Sequence, residues 1–383
     1  MIKTIIPFLI FICLTLSLFS DDGTDYNRVR VLVFKAEKID LKLEGDFQLI
    51  NLLTKQMIAP IRNDRVSFHL KEGKIKIENV GLFSGMIQIK NIKGIIHNGK
   101  YAYTGDFYIV SKTNTLLAIN DIDVEEYLKG VLPNEISPKW NQEAIKAQAV
   151  AARTFAYFYK LKNADQPYHL SANTLSQVYS GQAGQIETFA KAIKETEGEI
   201  LVLDNKLIAA YFHSVCGGHT ESAEKVWGRK VDYLTGVPCN YCRQAKYYRW
   251  EVSYTEEEVI RKLKKSGFDL SGISDIRGAQ RSSSGRWISL KIRGKPKDIM
   301  MNGNTFRLIL GAEKLRSTKF VIRRVRDGFK FMGRGWGHGV GMCQWGARGM
   351  AERGYKYYQI LRYYFRRTKL VKIHPRYLRS QQE

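Results

Sequence analysis

The sequence predicts an α+β protein, with a β-rich N-terminal region followed by a mixed helix and strand core. Residues 28–120 contain alternating or β-branched runs separated by Gly and Asn turns, a pattern typical of strands. Residues 143–160, rich in alanine and free of Gly and Pro, predict a helix. Helical and strand-like patterns then follow one another as far as residue 366. With 383 residues, 44% of them hydrophobic, the chain is long enough for two or three domains.

The chain begins with a segment typical of a signal peptide. Lys3 precedes the apolar run IIPFLIFICLTLSLF, which is short and poorly flanked for a membrane span. We therefore expect export to the periplasm or cell envelope, with an uncleaved N-terminal membrane anchor as the alternative. The expected organisation is a signal peptide (1–20), a β-rich region (28–120), a catalytic core with zinc knuckles (121–246), a mixed α/β segment (247–330), a glycine-rich loop and closing helix (331–366) and a loosely held basic tail (367–383).

The formal net charge of +24 favours a polyanionic partner. Export and the lack of a recognisable nucleic-acid-binding motif argue against nucleic acid, so an acidic envelope polymer fits better. The alternative is that the charge only keeps an exported protein soluble.

Glu135 is the candidate catalytic acid. A short helix from Asp121 is expected to stop at Gly130, and Pro133 and Pro138 then predict a non-helical turn around Glu135. Asn141 is a good N-cap for the alanine-rich helix that follows. A rigid helix directly behind a carboxylate can position an acid. The alternative is a surface glutamate in front of a core helix.

The remaining elements are predicted from local patterns. ETFAKAIKETEG and TEEEVIRKLKKSG predict helices, and EILVLDNKLIAAYFHS predicts a strand pair that turns at Asp204-Asn205. Seven glycines lie between Gly333 and Gly349 without a phosphate-loop or dinucleotide-binding pattern, so backbone is expected to pass close to another group there. A helix is expected to begin near Gln344, and YKYYQILRYYFRR predicts the closing helix.

The cysteines after the signal segment suggest a metal site. HSVCGGHT and PCNYC place a His-x2-Cys before a Cys-x2-Cys, close to the ligand spacing of structural zinc sites. His213 and His219 compete for the fourth ligand position. Disulfides are the alternative in an exported protein, but Cys239 and Cys242 are awkwardly close for an ordinary one.

These motifs together resemble the SpoIID/LytB family over residues 28–366. The resemblance is carried, in order, by VLPNEISPKWNQEAIKAQAVAARTFAYFYK, LSQVYSG, YFHSVCGGHTESAEKVWG, SSSGRW, FRLILGAEKLRS and GRGWGHGVGMCQWGARGMAERG. It implies a lytic transglycosylase that acts on peptidoglycan glycan strands from which stem peptides have been removed, with Glu135 as catalytic acid. It also implies a zinc site formed by His213, Cys216, Cys239 and Cys242. Cys343 departs from the family, which more often has serine there.

Glycan binding requires further side chains around the acid. Stacking on sugar rings, hydrogen bonding to hydroxyls and pairing with the lactyl carboxylate of muramic acid are the expected contacts. The alternatives are a buried structural salt bridge for Arg153 and core packing for the other side chains, and core packing is favoured for each tryptophan. The expected substrate-binding residues are Arg153, Gln177, Tyr179, Trp336, His338 and Gln344, with Trp140 and Trp345 as further candidates for the wall.

Three classes of function remain open at this point. The first is the lytic transglycosylase. The second, implied by the LytB side of the family, is a protein that grips glycan and enhances a separate amidase. The third is a disulfide-stapled envelope scaffold without site chemistry.

Overall fold

The computed structural model describes residues 26–172, 177–182, 186–374 and 377. The expected signal peptide lies outside these residues. The chain divides into two compact units, the first ending at Ile122 and also including Asn163–Tyr168, and the second beginning at Asp123 and holding the rest. No helix of the described residues combines the length and apolar character that a membrane crossing requires.

The first unit is a sheet, as predicted for this β-rich region. Its strand order is β1-β9-β8-β6-β2-β3-β4-β5, with β7 paired to β6. Buried and exposed side chains alternate along β2, where Ile39, Leu41 and Leu43 are buried between exposed residues, so one face packs and the other is solvated. The strands are β1 (Arg28–Ala36), β2 (Lys38–Asn51), β3 (Gln56–Lys71), β4 (Lys74–Ile77), β5 (Gly81–Phe83), β6 (Met86–Asn98), β7 (Tyr101–Tyr103), β8 (Asp106–Lys112) and β9 (Thr115–Asp123).

The second unit opens with two helices, α1 (Val124–Glu135) and α2 (Gln142–Lys162). The Asp123 carboxylate caps α1 by accepting from two backbone N–H groups. The Asn141 side chain accepts from the backbone N–H of residue 143 at 2.9 Å, which confirms the predicted cap of α2. The small alanines of α2 are buried, so neighbouring elements approach its backbone from several sides.

The expected end of α1 at Gly130 and the expected non-helical turn at Glu135 are both wrong. The helix continues through Pro133, and Glu135 is its last residue. Pro133 removes only one helical hydrogen bond near the end, and the Asn134 amide donates back to the Gly130 carbonyl at 2.8 Å. A side chain at Gly130 would lie 2.3 Å from the carbonyl oxygen of Gly181, so its glycine permits close packing rather than a helix stop.

The elements that pack around α2 belong to the second unit. The turn at Asp204-Asn205 has positive φ at both residues, as the predicted hairpin requires. The expectation of a loosely held tail after Arg366 is wrong for residues 369–372, which pair antiparallel with β11. These elements are β10 (Leu170–Ser171), α3 (Glu187–Glu195), β11 (Glu199–Leu203), β12 (Lys206–Leu207), β13 (Phe212–His213), α4 (Ala223–Trp227), β20 (Met342–Cys343), α7 (Gln344–Ala351), α8 (Tyr357–Tyr364) and β21 (Lys369–Lys372).

Between α4 and β20 the chain forms two three-stranded sheets with a core of their own. Thr255 and Glu258 form a capping box at the start of α5, which confirms that predicted helix. The sheets have the orders β14-β19-β18 and β15-β16-β17. The elements are β14 (Arg249–Thr255), α5 (Glu256–Lys265), β15 (Gly272–Arg281), β16 (Trp287–Lys295), β17 (Ile299–Asn302), α6 (Gly303–Leu310), β18 (Phe320–Val325) and β19 (Gly328–Arg334).

Candidate functional site

A cleft of about 530 Å³ in the second unit contains Glu135. Its walls come from the end of α1, from β13, from α4, from α6 and the loop after it, and from the glycine-rich segment before α7. Its side chains are aromatic, cationic and acidic in a small space, as in a site that holds a polar ligand with apolar faces. The lining residues used below are Glu135, Val178, His213, Trp227, Arg307, Glu313, Trp336, His338 and Gln344.

Glu135 is partly buried at the C-terminal end of α1. Burial raises the pKa of its carboxyl group, although hydrogen bonds from the Gln344 side chain and the Val178 backbone lower it in part. Gln344 Nε2 donates to Glu135 Oε2 at 3.0 Å. An acid that holds its proton in a partly desolvated cleft is suited to proton donation near neutral pH.

Gln177 and Tyr179 support the cleft from behind rather than lining it. Both are buried, with 1% and 4% of their surface exposed. Gln177 accepts a hydrogen bond from Tyr127 at 3.0 Å, and the rings of Tyr127 and Tyr179 lie 5.0 Å apart. Only Val178, between them, reaches the cleft. The expected substrate contacts of Gln177 and Tyr179 are therefore corrected to core contacts that hold this segment against α1.

Arg153 is likewise a structural residue, as the alternative interpretation held. Its fully buried guanidinium forms a two-point ion pair with Glu125, at 2.8 Å and 2.6 Å, and donates to the carbonyl of Glu199 at 3.1 Å. Longer contacts to the Ile193 carbonyl at 3.4 Å and to Thr196 Oγ1 at 3.5 Å engage its remaining N–H groups. Its expected contact with substrate is wrong because the guanidinium ties α2 to the first turn of α1.

Two neutral histidines lie side by side in the cleft, with ring centroids 5.6 Å apart. Burial lowers the pKa of His213, and burial with the nearby Arg307 lowers that of His338 to about 3. The carbonyl of Val340 accepts from His213 Nδ1 at 3.1 Å, so Nε2 carries the lone pair. That buried Nε2 has no protein partner among the described residues. It is a hydrogen-bond acceptor open to a ligand.

Trp336, His338 and Gln344 line the cleft, where the sequence placed its substrate contacts. The close approach expected of the glycine-rich segment is present: a Cβ at Gly337 would lie 2.8 Å from the Cβ of His213. Helix α7 begins at Gln344, as predicted. Trp140 and Trp345 instead pair with each other at 5.4 Å and do not appear among the described lining residues.

Arg307 and Glu313 were missed by the sequence analysis. Arg307 is 7% exposed, and burial lowers its pKa to about 10. Its Nε donates to the Arg316 carbonyl at 3.0 Å, which fixes the guanidinium at the cleft. Glu313 is exposed at the same cleft. The segment FRLILGAEKLRS, which contains both residues, was noticed only for its resemblance and gave no chemical signal of its own. The same is true of Trp227 in the segment AEKVW.

The cysteines form a cluster of four. The sulfur atoms of Cys216, Cys239, Cys242 and Cys343 all lie within 4.8 Å of one another, and all four residues are buried. His213 and His219 are not part of it: His213 faces the cleft and His219 Nδ1 contacts the Thr220 carbonyl at 2.6 Å. The expected histidine is therefore replaced in the cluster by Cys343, which the parallel pairing of β13 and β20 brings to this place.

The cluster fits a tetrahedral metal ion. The four thiols are free, and Cys216 Sγ and Cys242 Sγ lie 3.4 Å apart, whereas a disulfide requires about 2.0 Å. Thiolates about 2.3 Å from a tetrahedral zinc lie roughly 3.8 Å from one another, which the observed spread accommodates. Backbone N–H groups of Cys216 and Gly346 donate to Cys343 Sγ at 3.2 Å and 3.3 Å. Burial raises the pKa of Cys216 and Cys343, so these two thiols would lose their protons only beside a cation.

Two family models match the chain. The model described as stage II sporulation protein matches residues 112–203, which include α1, α2 and Glu135. A second model, described as a domain of unknown function, matches residues 237–341. The first match covers the acid and its supporting helices, and the second covers the two small sheets and much of the glycine-rich segment.

Among the relatives that match 65% or more of this chain, two have names that agree with the first match. An uncharacterized protein of Brachyspira hyodysenteriae is 34% identical over 333 residues, which are 86% of this chain and 89% of that protein. Stage II sporulation protein D of Bacillus subtilis is 31% identical over 269 residues, covering 65% of this chain and 76% of that protein. The amidase enhancer of Bacillus subtilis is 29% identical over 361 residues, but the match spans only 50% of that protein. The chain belongs to the SpoIID/LytB family, to which stage II sporulation protein D and the amidase enhancer give their names.

Proposed function

We propose that the protein is a lytic transglycosylase of the cell envelope that cleaves the β-1,4 bond between N-acetylmuramic acid and N-acetylglucosamine in peptide-stripped peptidoglycan. The observation that carries the proposal is the carboxyl group of Glu135, whose pKa is raised by burial in a cleft that also offers aromatic walls and a cation. A role in peptidoglycan follows from family membership. The specific reaction is the one that a single well-placed acid can perform.

Glu135 acts first as acid and then as base. Its protonated form, favoured by burial, delivers the proton to the glycosidic oxygen as the bond to C1 of the muramic acid breaks. The resulting carboxylate then takes the proton from the C6 hydroxyl of the same sugar, and O6 attacks C1. The product is a 1,6-anhydro ring, and no water is consumed. The carboxyl group returns to its protonated form, so one residue completes the cycle.

The other cleft residues hold the sugar. Arg307 supplies the buried cation that pairs with the lactyl carboxylate of muramic acid, the role first expected of Arg153. His213 Nε2 accepts a hydrogen bond from a sugar hydroxyl, because it is buried with its lone pair unused. Trp227 and Trp336 offer rings for stacking. Gln344 orients the Glu135 carboxyl group through its 3.0 Å hydrogen bond.

The cysteine cluster has a structural role in this proposal. Cys216, Cys239, Cys242 and Cys343 would hold a zinc ion, and four protein ligands leave no position for water or substrate. When bound, the ion supplies folding energy and fixes the start of α7.

Mass spectrometry of peptide-free glycan strands tests the reaction. The unaltered protein is expected to yield ends of 1,6-anhydromuramic acid, and Glu135→Gln is expected to reduce cleavage roughly 100- to 10,000-fold while retaining glycan binding. Glu143→Gln is the matched control, because Glu143 is an acid outside the cleft that pairs with Lys146 at 3.4 Å. Its activity is expected to be unchanged. Reducing-end muramic acid would contradict the mechanism and identify water activation, for which Glu313 is the second carboxylate at the cleft.

The second candidate function is enhancement of an amidase, favoured by the similarity to a protein of that name. In that case the unaltered protein and Glu135→Gln would leave glycan equally intact, and both would stimulate a cell-wall amidase on intact sacculi. The two assays, run on the same preparations, separate the functions.

A further inference from the structure

A second cavity, of about 680 Å³, lies in the two-sheet part of the second unit. It opens at the ends of β14, β18 and β19, and none of its described lining residues also lines the Glu135 cleft. Trp250 and Phe320 form an apolar floor. Four cationic side chains surround it: Arg249, Arg281, Lys319 and Arg334.

Three of these cations stand in a row across neighbouring strands. Arg249 and Arg334 are direct partners in the antiparallel register of β14 and β19. On the other side of Arg334, its backbone N–H donates to the carbonyl of Lys319 at 2.9 Å. Partners of this kind place their Cβ atoms about 5 Å apart, and like charges in such a pair destabilise a sheet. A row of three therefore costs stability unless an anion sits among them.

No carboxylate of the described residues pairs with a cation of this row. Among the described residues, none of the four cations forms an ion pair, whereas the one acid in the cavity, Glu251, is paired with Lys330 at 3.0 Å. Lys319 shows the effect of this excess of positive charge: burial, and then repulsion from Arg286, lower its pKa. The cavity is therefore positively charged, with no counter-ion supplied by the part of the chain that the structure describes.

The cavity is also held in shape. Trp250 Nε1 donates to the Gly335 carbonyl at 2.7 Å, which fixes the indole of the floor. Arg281 lies over the ring of Trp287 at 4.9 Å and donates through Nε to the Gly285 carbonyl at 2.9 Å. These two contacts leave the outer N–H groups of the Arg281 guanidinium available, already oriented, for a ligand.

We propose that this cavity binds phosphate groups of an anionic polymer, independently of the glycan cleft. Guanidinium forks match the oxygens of phosphate in two-point contacts. A single carboxylate would leave most of the four positive charges unbalanced, whereas a run of phosphodiesters brings several negative charges into the space. The inference goes beyond glycan cleavage and does not depend on Glu135.

The test compares two doubly substituted proteins that lose the same charge. Arg249→Gln with Arg334→Gln removes cations from the cavity, and Arg323→Gln with Arg326→Gln removes two exposed arginines outside it. Binding of a poly(glycerol phosphate) oligomer to each full chain is measured by calorimetry. Loss of charge-assisted hydrogen bonds is expected to weaken binding about tenfold or more in the cavity variant, and less than about twofold in the control.

A charge-matched oligogalacturonate provides the second arm. It is expected to bind more weakly than the phosphate polymer, and equal binding would overturn the assignment to phosphate. Equal loss of phosphate binding in the two variants would overturn the site itself and leave only diffuse surface charge. Arg249→Lys with Arg334→Lys keeps the charge and is expected to bind the polymer more tightly than the glutamine variant. This result would show that the weaker binding of the glutamine variant does not come from misfolding. Glu135→Gln is expected to bind the polymer normally, so failure of this site and failure of the glycan reaction are distinguishable.

Discussion

The ion pair between Arg153 and Glu125 should be one of the most sensitive points of the second unit. Arg153→Met would remove the two bonds to Glu125 and the bond to the Glu199 carbonyl while keeping much of the side-chain volume. Breaking a buried pair by deleting one partner costs roughly 3–5 kcal/mol. Because the Glu125 side chain retains 22% exposure, we expect the lower end of that range.

A loss of about 3 kcal/mol corresponds to a fall in Tm of roughly 6–12 °C for a unit of this size. Thermal unfolding followed by circular dichroism measures it. Arg348→Met is the control, because Arg348 pairs with the exposed Glu352 at 2.7 Å and such pairs contribute about 1 kcal/mol or less. Its Tm is expected to fall by much less than that of Arg153→Met.

Activity provides the second measurement. Glu125 lies in the first turn of α1 and Glu135 ends it, so under the proposed function loss of the pair is expected to reduce the rate of glycan cleavage together with Tm. If Arg153→Met keeps the Tm of the unaltered protein but binds glycan more weakly, our reasoning is refuted. Arg153 would then be the substrate contact that the sequence first suggested.

The remaining predictions concern the metal and the acid. Cys343→Ser is expected to lose zinc and to melt at a lower temperature. His213→Asn is expected to keep about one zinc per chain. Metal analysis showing the reverse would restore His213 as the ligand. Glu135 has a pKa raised above its ordinary value of 4.5, so its contribution to stability is fully present below that value and is lost as pH rises through the raised pKa. Glu135→Gln is therefore expected to melt higher than the unaltered protein at ~pH 8 but not at ~pH 4, and an equal difference at both values would mean that the carboxyl group is not desolvated.

The sequence predicted correctly those helix ends and turns that depend only on neighbouring residues. Asn141 caps α2, Gln344 begins α7, and Asp204-Asn205 turn between two strands, as predicted. Each of these features depends on residues within one turn of the chain. The β-rich beginning followed by a mixed core was also predictable, since the alternation of side chains along strands such as β2 is visible in the sequence.

The site was harder because its members are brought together by tertiary pairing. Cys343 joins the other cysteines through the pairing of β20 with β13. The spacing of cysteines along the sequence does not predict that pairing. Arg153 could be a ligand contact or a buried ion pair until the position of Glu125 was known. Arg307 lies in a segment with the pattern of an ordinary amphipathic helix. Its position at the cleft could therefore be found only from the tertiary structure.

The final strand also constrains how the protein folds. Residues Lys369–Lys372 pair with β11, whose partners Glu199–Val202 lie roughly 170 residues earlier in the chain. Pairing over such a distance is slow, and until it forms, one edge of β11 stays open to other chains. The sheet that contains β11 is therefore completed only after residues 369–372 have been made. A protein cut after Arg366 would keep Glu135, the cysteines and every cleft residue, yet expose an edge prone to aggregation.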